Sequence, residues 1–164
     1  MELNNNISII YKSLNELDIN DSFFDSLKSD YYGFEDWFKK KELDGVHAYV
    51  TELDGKLTSF LMLKIEDKNE DYSDFIKPFK GAKRLKISTF KVTDTGKKIG
   101  EMFIKIIIDE AEKENVDEIY ATMFDKQKYL IDMFESYGFK KYTKKRTLKS
   151  NGKYELENVL VKRR

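Results

Sequence analysis

The chain has 164 residues, the size of one domain, with 40 % hydrophobic and 14 % aromatic residues to fill a core. Its 30 lysines and arginines balance its 30 aspartates and glutamates, so there is no overall basic excess of the kind that favours nucleic acid. The absence of cysteine excludes a disulfide scaffold, a thiolate zinc site and a cysteine nucleophile, and a single histidine, His47, excludes a multi-histidine metal centre. Residues 1–6 are polar and lack the basic and apolar regions of a signal peptide. Every apolar stretch is interrupted by charge well short of the roughly 20 residues that span a bilayer. The expectation is one cytoplasmic domain over residues 1–164, with no membrane partner and no metal.

In chain order, residues 7–11 suit a first strand. Asp21 suits the N-cap of a helix over 23–32, and a second short helix over 34–41 is closed by Gly45. Two strand-like runs, 47–53 and 56–66, flank Asp54-Gly55, a strong hairpin signal. In the second run period-two alternation puts Leu57, Ser59, Leu61, Leu63 and Ile65 on one face. The acidic segment 66–74, followed by Pro78 and Gly81, reads as a long connection within the domain.

A strand over 83–92 then runs into a turn at 93–98. Ile99, Met102, Phe103, Ile106, Ile107 and Ala111 recur at helical spacing, and Asn115 suits the helix's C-terminal cap. A strand over 118–123 leads to a second helical stripe, Leu130, Met133, Phe134 and Tyr137, stopped by Gly138. Residues 140–148 and 154–162 form a closing hairpin around Asn151-Gly152. A hairpin-rich first half joined to a strand-helix-strand second half means a mixed sheet with helices packed on it, in the α+β or α/β class.

The segment with the clearest chemical meaning is the strand-turn-helix over 86–111. A helix N-terminus leaves backbone N–H groups unpaired and favours negative charge. Gly96 and Gly100 flank Lys97 and Lys98, so backbone donors and ammonium groups converge where a pyrophosphate would fit. The same residues also suit an ordinary strand-to-helix turn that binds nothing. The segment 127–139, ending in Gly138-Phe139, reads equally as a core helix with a glycine cap.

Together and in this order, these segments resemble the GNAT acetyltransferases across most of the chain. The 95–100 stretch is similar to that family's pyrophosphate signature, with Thr95 at its Arg/Gln position, Lys98 at its first glycine and Gly100 at its second. The 127–139 stretch is similar to the family's later motif, with Gln127 for Asn, Leu130 for Ala and Phe134 for Tyr. The resemblance implies an α+β fold with a central, mostly antiparallel sheet of about seven strands and about four flanking helices. It implies acetyl-CoA as co-substrate, held in a splay between the strand ending at Val92 and the strand over 118–123. The residues it assigns to CoA are Phe90, Lys91, Val92, Thr95, Gly96, Lys97, Lys98, Ile99, Gly100, Gln127 and Phe134. Phe134 has no proton to give a departing thiolate, so no general acid is assigned.

For the base, His47, Glu66 and Asp67 are available, each also readable as a structural or solvated residue. The acceptor side is framed by the first two helices and the acidic connection. If Asp30, Glu35, Asp36, Glu66, Asp67, Glu70, Asp71 and Asp74 all line it, a cationic amine is favoured. The implied activity is transfer of an acetyl group to a primary amine of a small molecule or protein. A CoA-binding module with little turnover is the alternative, as is a toxin acting on aminoacyl-tRNA, which the zero net charge disfavours. An exposed strand of the final hairpin would suit pairing in a homodimer.

Overall fold

The computed structural model describes residues 8–93 and 97–164, with Lys97 by its backbone alone. Thr95 and Gly96 therefore lie outside the described residues. Seven strands, β1 (Ile10–Ser13), β2 (His47–Leu53), β3 (Lys56–Glu66), β4 (Arg84–Val92), β5 (Glu118–Phe124), β6 (Lys140–Leu148) and β7 (Tyr154–Arg163), form one sheet. The sheet order is β1-β2-β3-β4-β5-β7-β6. All neighbours are antiparallel except β4 and β5, which are joined through helix α3 (Lys97–Lys113) as parallel strands require. Helices α1 (Asp25–Asp30) and α2 (Phe34–Leu43) precede β2, and α4 (Lys128–Ser136) follows β5. This is the expected α+β architecture. Among the described residues no helix is long and apolar enough to cross a membrane.

Local chemistry accounts for these elements. The Asp21 carboxylate accepts the Phe23 N–H at 2.9 Å and starts the short 3₁₀ turn Ser22–Phe24 that leads into α1. Asp54 and Gly55 both have positive φ, 54° and 79°, the geometry of the two-residue turn between β2 and β3. Asn115, with φ 55°, takes the left-handed position just beyond α3.

One face of the sheet is the main core. Leu85, Ile87 and Phe90 of β4 and Ile119, Ala121 and Met123 of β5 pack there against Ile99, Phe103, Ile104, Ile107 and Ala111 of α3. Helix α4 adds Ile131 and Phe134 to the same cluster. Met102, expected in the α3 stripe, is 44 % exposed, and Tyr137, expected in the α4 stripe, is 36 % exposed. The stripe of α3 follows the four-residue spacing 99-103-107-111, which leaves Met102 at its edge. The opposite face carries a second, phenylalanine-rich core beneath α1 and α2, made by Phe23, Phe24, Phe34, Phe38, Phe60 and Met62 among others.

Among the described residues the sheet has three register irregularities, in the β2–β3, β3–β4 and β6–β7 pairs, and the first two shape the faces of β3 and β4. Thr51 pairs with Ser59 but Glu52 with Leu57, so Thr58 is extra. Leu57 consequently packs with Phe60 and Met62 on the α1/α2 face, whereas Leu61 joins the α3 face. The single shared face expected for Leu57 to Ile65 is broken there, and Ile65 is exposed. The second bulge is in β4: Met62 pairs with Thr89 and Leu63 with Ile87, leaving Ser88 unpaired.

Candidate active site

The Ser88 bulge sits where β4 and β5 separate. Their parallel pairing runs from Arg84↔Glu118 to Ile87↔Ala121 and stops, although β4 continues to Val92 and β5 to Phe124. A bulge adds a residue to one strand and bends it, so β4 turns away from β5 from Ser88 onward. Between them lies a cleft of about 560 Å³, roofed by Tyr31, Phe34 and Trp37 of the α1–α2 region. This is the splay that the sequence implies. Among the described residues the β5-side edge of β4 beyond Ile87 has no strand partner, which leaves it available to an extended ligand.

The cleft wall includes Phe90, Lys91 and Gln127 of the residues assigned to CoA. Phe90 directs its ring into the main core against Phe103 and Phe134, so its backbone is what the cleft can use. The Lys91 ammonium donates to the Phe23 carbonyl and, at 2.7 Å, to Ser26 Oγ, tying β4 to α1. Burial pushes it below the ordinary lysine range, against the pull of Asp25, Asp30 and Asp21. Gln127 Oε1 accepts the Phe124 N–H at 2.9 Å, a capping bond at the start of the turn before α4. Val92 is half-buried, at the end of β4, and Lys98 is exposed in the first turn of α3.

Three other assignments fall away from the cleft wall. Ile99 belongs to the main core. Gly100 is buried with Met133 so close that a Cβ would lie 2.9 Å from Met133 Cε, so its glycine admits α4 against α3. Phe134 is fully buried, edge-on to Phe90 at 5.1 Å and Phe139 at 4.9 Å between ring centroids. It is a core residue in the place where the similar motif carries a tyrosine.

The base candidates are also placed. His47 is exposed, stacked on Tyr11 at the outer strands, with Nδ1 3.1 Å from the Gly45 carbonyl, and it does not line the cleft. Asp67 is exposed and accepts the Asn69 N–H in a local turn. Glu66 is buried, but its Oε1 receives the hydroxyls of Tyr72 at 2.8 Å and Tyr120 at 2.5 Å. Burial, and then the hydrogen bond to Glu66, pushes the Tyr120 phenol far above its ordinary value. Burial, partly offset by the Arg84 hydrogen bond, pushes that of Tyr72 up to about 12. Glu66 thus anchors the 67–83 segment, whose Phe75 and Phe79 pack on Tyr120.

Besides Asp30, the carboxylate that reaches the cleft is Glu157 of β7, fully buried, which the sequence reading missed. Tyr31 Oη donates to its Oε2 at 2.7 Å and Thr147 Oγ1 to its Oε1 at 2.6 Å. Burial, and next the Glu157 charge, keeps Tyr31 protonated far above its ordinary range. Its sequence signal is weak: a Glu at every second position, 155 and 157, reads as an edge strand with a wet face.

The expected acidic lining is not what the cleft has. Asp30 and Glu157 are its only carboxylates among the described residues, against six lysines. Asp30 is already paired, with Lys126 at 2.6 Å and Lys149 at 3.9 Å. Glu35 pairs with Lys28 and Lys39 on the helix surface, and the 67–74 acids do not reach the wall. A homodimer through the last hairpin meets a covered edge: Ile76 N–H donates to the Lys144 carbonyl and Arg146 N–H to the Asp74 carbonyl. Among the described residues no three His, Asp or Glu side chains converge to hold a metal ion.

With this geometry in hand, comparison with solved structures is decisive for the fold. Arabidopsis thaliana NAA60, solved with a bisubstrate analogue, superposes with a TM-score of 0.67 over 94 % of this chain and 97 % of its own, at 18 % identity. The fold is that of the GNAT acetyltransferases. Arabidopsis thaliana Naa50, solved with the bisubstrate analogue CoA-Ac-MVNAL, has a TM-score of 0.67 at 17 % identity, covering 95 % of this chain and 97 % of its own. A GNAT family acetyltransferase from Elizabethkingia anophelis, solved with acetyl-CoA bound, has a TM-score of 0.63 at 12 % identity, covering 97 % and 99 %. No family model matches the sequence, and no curated protein matches it.

Proposed function

We propose that the protein is an acetyl-CoA-dependent N-acetyltransferase whose co-substrate lies in the β4–β5 splay. The observation that carries this reading is the end of the β4–β5 ladder at Ile87↔Ala121, opening onto the cleft. The pantetheine arm would pair with the β4 edge over 88–92, and the pyrophosphate would lie at the N-terminus of α3, near the exposed Lys98. The thioester then projects toward the Tyr31–Glu157 pair.

Glu157 is the group we assign to the acceptor amine. Each of its oxygens accepts one hydroxyl and keeps a further acceptor position. Glu157 takes a proton from the ammonium, directly or through one water. The neutral nitrogen attacks the thioester carbon, a C–N bond forms, and collapse of the oxyanion breaks the C–S bond. The thiolate leaves, the attacking nitrogen gives up its second proton to solvent, and the thiolate takes a proton from solvent in its place.

The experiment is thiol release from acetyl-CoA across a panel of amines, alongside calorimetric titration with acetyl-CoA. Binding with amine-dependent release supports the enzyme. Binding without release for any amine supports the second reading, a CoA-binding module, which the buried Phe134 in place of a phenol favours. Absence of binding rejects both.

A further inference from the structure

Three of the six cleft lysines, Lys41 of α2 and Lys86 and Lys145 of the sheet, have neither an ion pair nor a side-chain hydrogen bond among the described residues, and the two on the sheet face the cleft beside Glu157. Lys126 pairs with Asp30, Lys64 pairs with Glu66 at 3.4 Å and Glu70 at 3.4 Å, and Lys91 donates to Phe23 and Ser26. Lys86 and Lys145 are both half-buried on the cleft wall.

Lys86 and Lys145 stand on strands separated by β5 and β7 and share the wall of the same cleft. Lys86 of β4 lies directly beside Lys64 of β3, and Lys145 of β6 directly beside Glu157 of β7. Directly paired residues project to the same face, here the face that the α1–α2 region roofs. The two buried carboxylates nearby are already committed: Glu157 to the Tyr31 and Thr147 hydroxyls, Glu66 to those of Tyr72 and Tyr120. Burial, and next the Lys145 charge, push the Lys86 ammonium down, against the weaker pull of Glu66 and Glu157. Half-buried cations of like sign without partners are costly unless an anion completes them.

We propose that the acceptor is a small amine that carries its own carboxylate, as a free amino acid does, with the carboxylate held between Lys86 and Lys145 and the amine at Glu157. The inference rests on the acetyltransferase reading, and it reverses the cationic acceptor that the acidic segments suggest in the sequence. An amine and a carboxylate on one carbon skeleton match the two signs on the wall: a carboxylate base beside uncompensated ammonium groups. A carboxylate also offers both lysines an oxygen, giving charge-assisted hydrogen bonds on each side.

The test compares the common amino acids with their α-amides, which keep the amine and lose the carboxylate. Phosphoethanolamine serves as the phosphate-bearing arm. The full chain and the variants Lys86→Gln and Lys145→Gln are assayed by thiol release and by calorimetry with acetyl-CoA. Wild type should prefer at least one amino acid over its amide by ~10-fold or more in kcat/KM, since hydrogen bonds to charged groups are among the stronger ones. Each variant should raise KM for that amino acid ~10-fold, leave the amide's KM unchanged and leave acetyl-CoA binding intact. Equal use of acid and amide by wild type would overturn the proposal, as would preference for phosphoethanolamine. Loss of acetyl-CoA binding in the variants would assign the lysines to the cofactor's phosphates instead. Direct calorimetric titration of the protein with the amino acids separates this inference from its premise: if no amino acid binds wild type more tightly than its amide, the proposal fails whether or not acetyl-CoA binds.

Discussion

Strands β4 and β5 present two unlike faces to the two halves of the molecule. Toward α3 they show Leu85, Ile87, Phe90, Ile119, Ala121 and Met123, all nearly inaccessible. On the opposite face they show Lys86, Thr89, Lys91 and Thr122 to the cleft, and Arg84 and Tyr120 to the aromatic residues of the 67–83 segment. The first face is close-packed and tolerates no void. The second holds a cleft of about 560 Å³ and side chains whose charges are only partly matched. The same two strands thus secure the fold on one side and leave unmet polar demand on the other, where a ligand would meet it.

Substitutions on the two faces should therefore fail in different ways. On the cleft face, Glu157→Gln should lower kcat/KM by about 10²- to 10⁴-fold, the range for loss of a positioned base, with a melting temperature near wild type. Steady-state thiol release and a thermal melt check both halves of that statement. On the core face, Phe134→Ala should cost ~3–5 kcal/mol in urea unfolding, because the cavity opens among Phe90 and Phe139. Phe134→Tyr should cost ~1–3 kcal/mol by leaving a buried hydroxyl unpaired and should give no gain in turnover. A faster Phe134→Tyr enzyme would move that ring to the cleft and erase the contrast between the faces.

Lys86 sharpens the comparison through pH. Its folded pKa is lowered, chiefly by burial, so the unfolded chain binds more protons as pH approaches the ordinary lysine value. Stability from this group therefore rises with pH through that window. Lys86→Met should be more stable than wild type at pH 7, by a few degrees at about 2–4 °C per kcal/mol. That advantage should shrink toward pH 10, as differential scanning calorimetry at the two pH values would show. The smallest effect is expected at a site on neither face: Lys128→Ala, which removes an exposed pair with Asp132, should change unfolding free energy by less than ~0.5 kcal/mol.

Most of the architecture was legible because it is written locally. Asp54-Gly55 and Asn151-Gly152 mark their hairpins, the 99-103-107-111 spacing marks α3, and the bounds of β2, β3 and β6 follow from alternation and turn residues. What escaped depends on partners distant in sequence. The Thr58 bulge that sends Leu57 to the other face is a property of pairing with β2, and the Ser88 bulge that opens the cleft is a property of pairing with β3. Gly100 resembled a phosphate-turn glycine, but its neighbour Met133 lies on another helix. The cleft's charge was misread for the same reason. The chain's acids are conspicuous as runs that stay off the cleft wall, whereas Lys64, Lys86 and Lys145 are single residues on three strands that only the fold brings to it.

The central claim is that the β4–β5 cleft holds acetyl-CoA, and isothermal titration of the full chain with acetyl-CoA tests it most directly. The account predicts one molecule bound per chain, with a melting temperature that climbs as ligand is added, because binding to the native state alone stabilises by mass action. At a hundredfold excess over Kd the gain is about 2.7 kcal/mol. No heat of binding and an unchanged melting temperature at millimolar acetyl-CoA would contradict it.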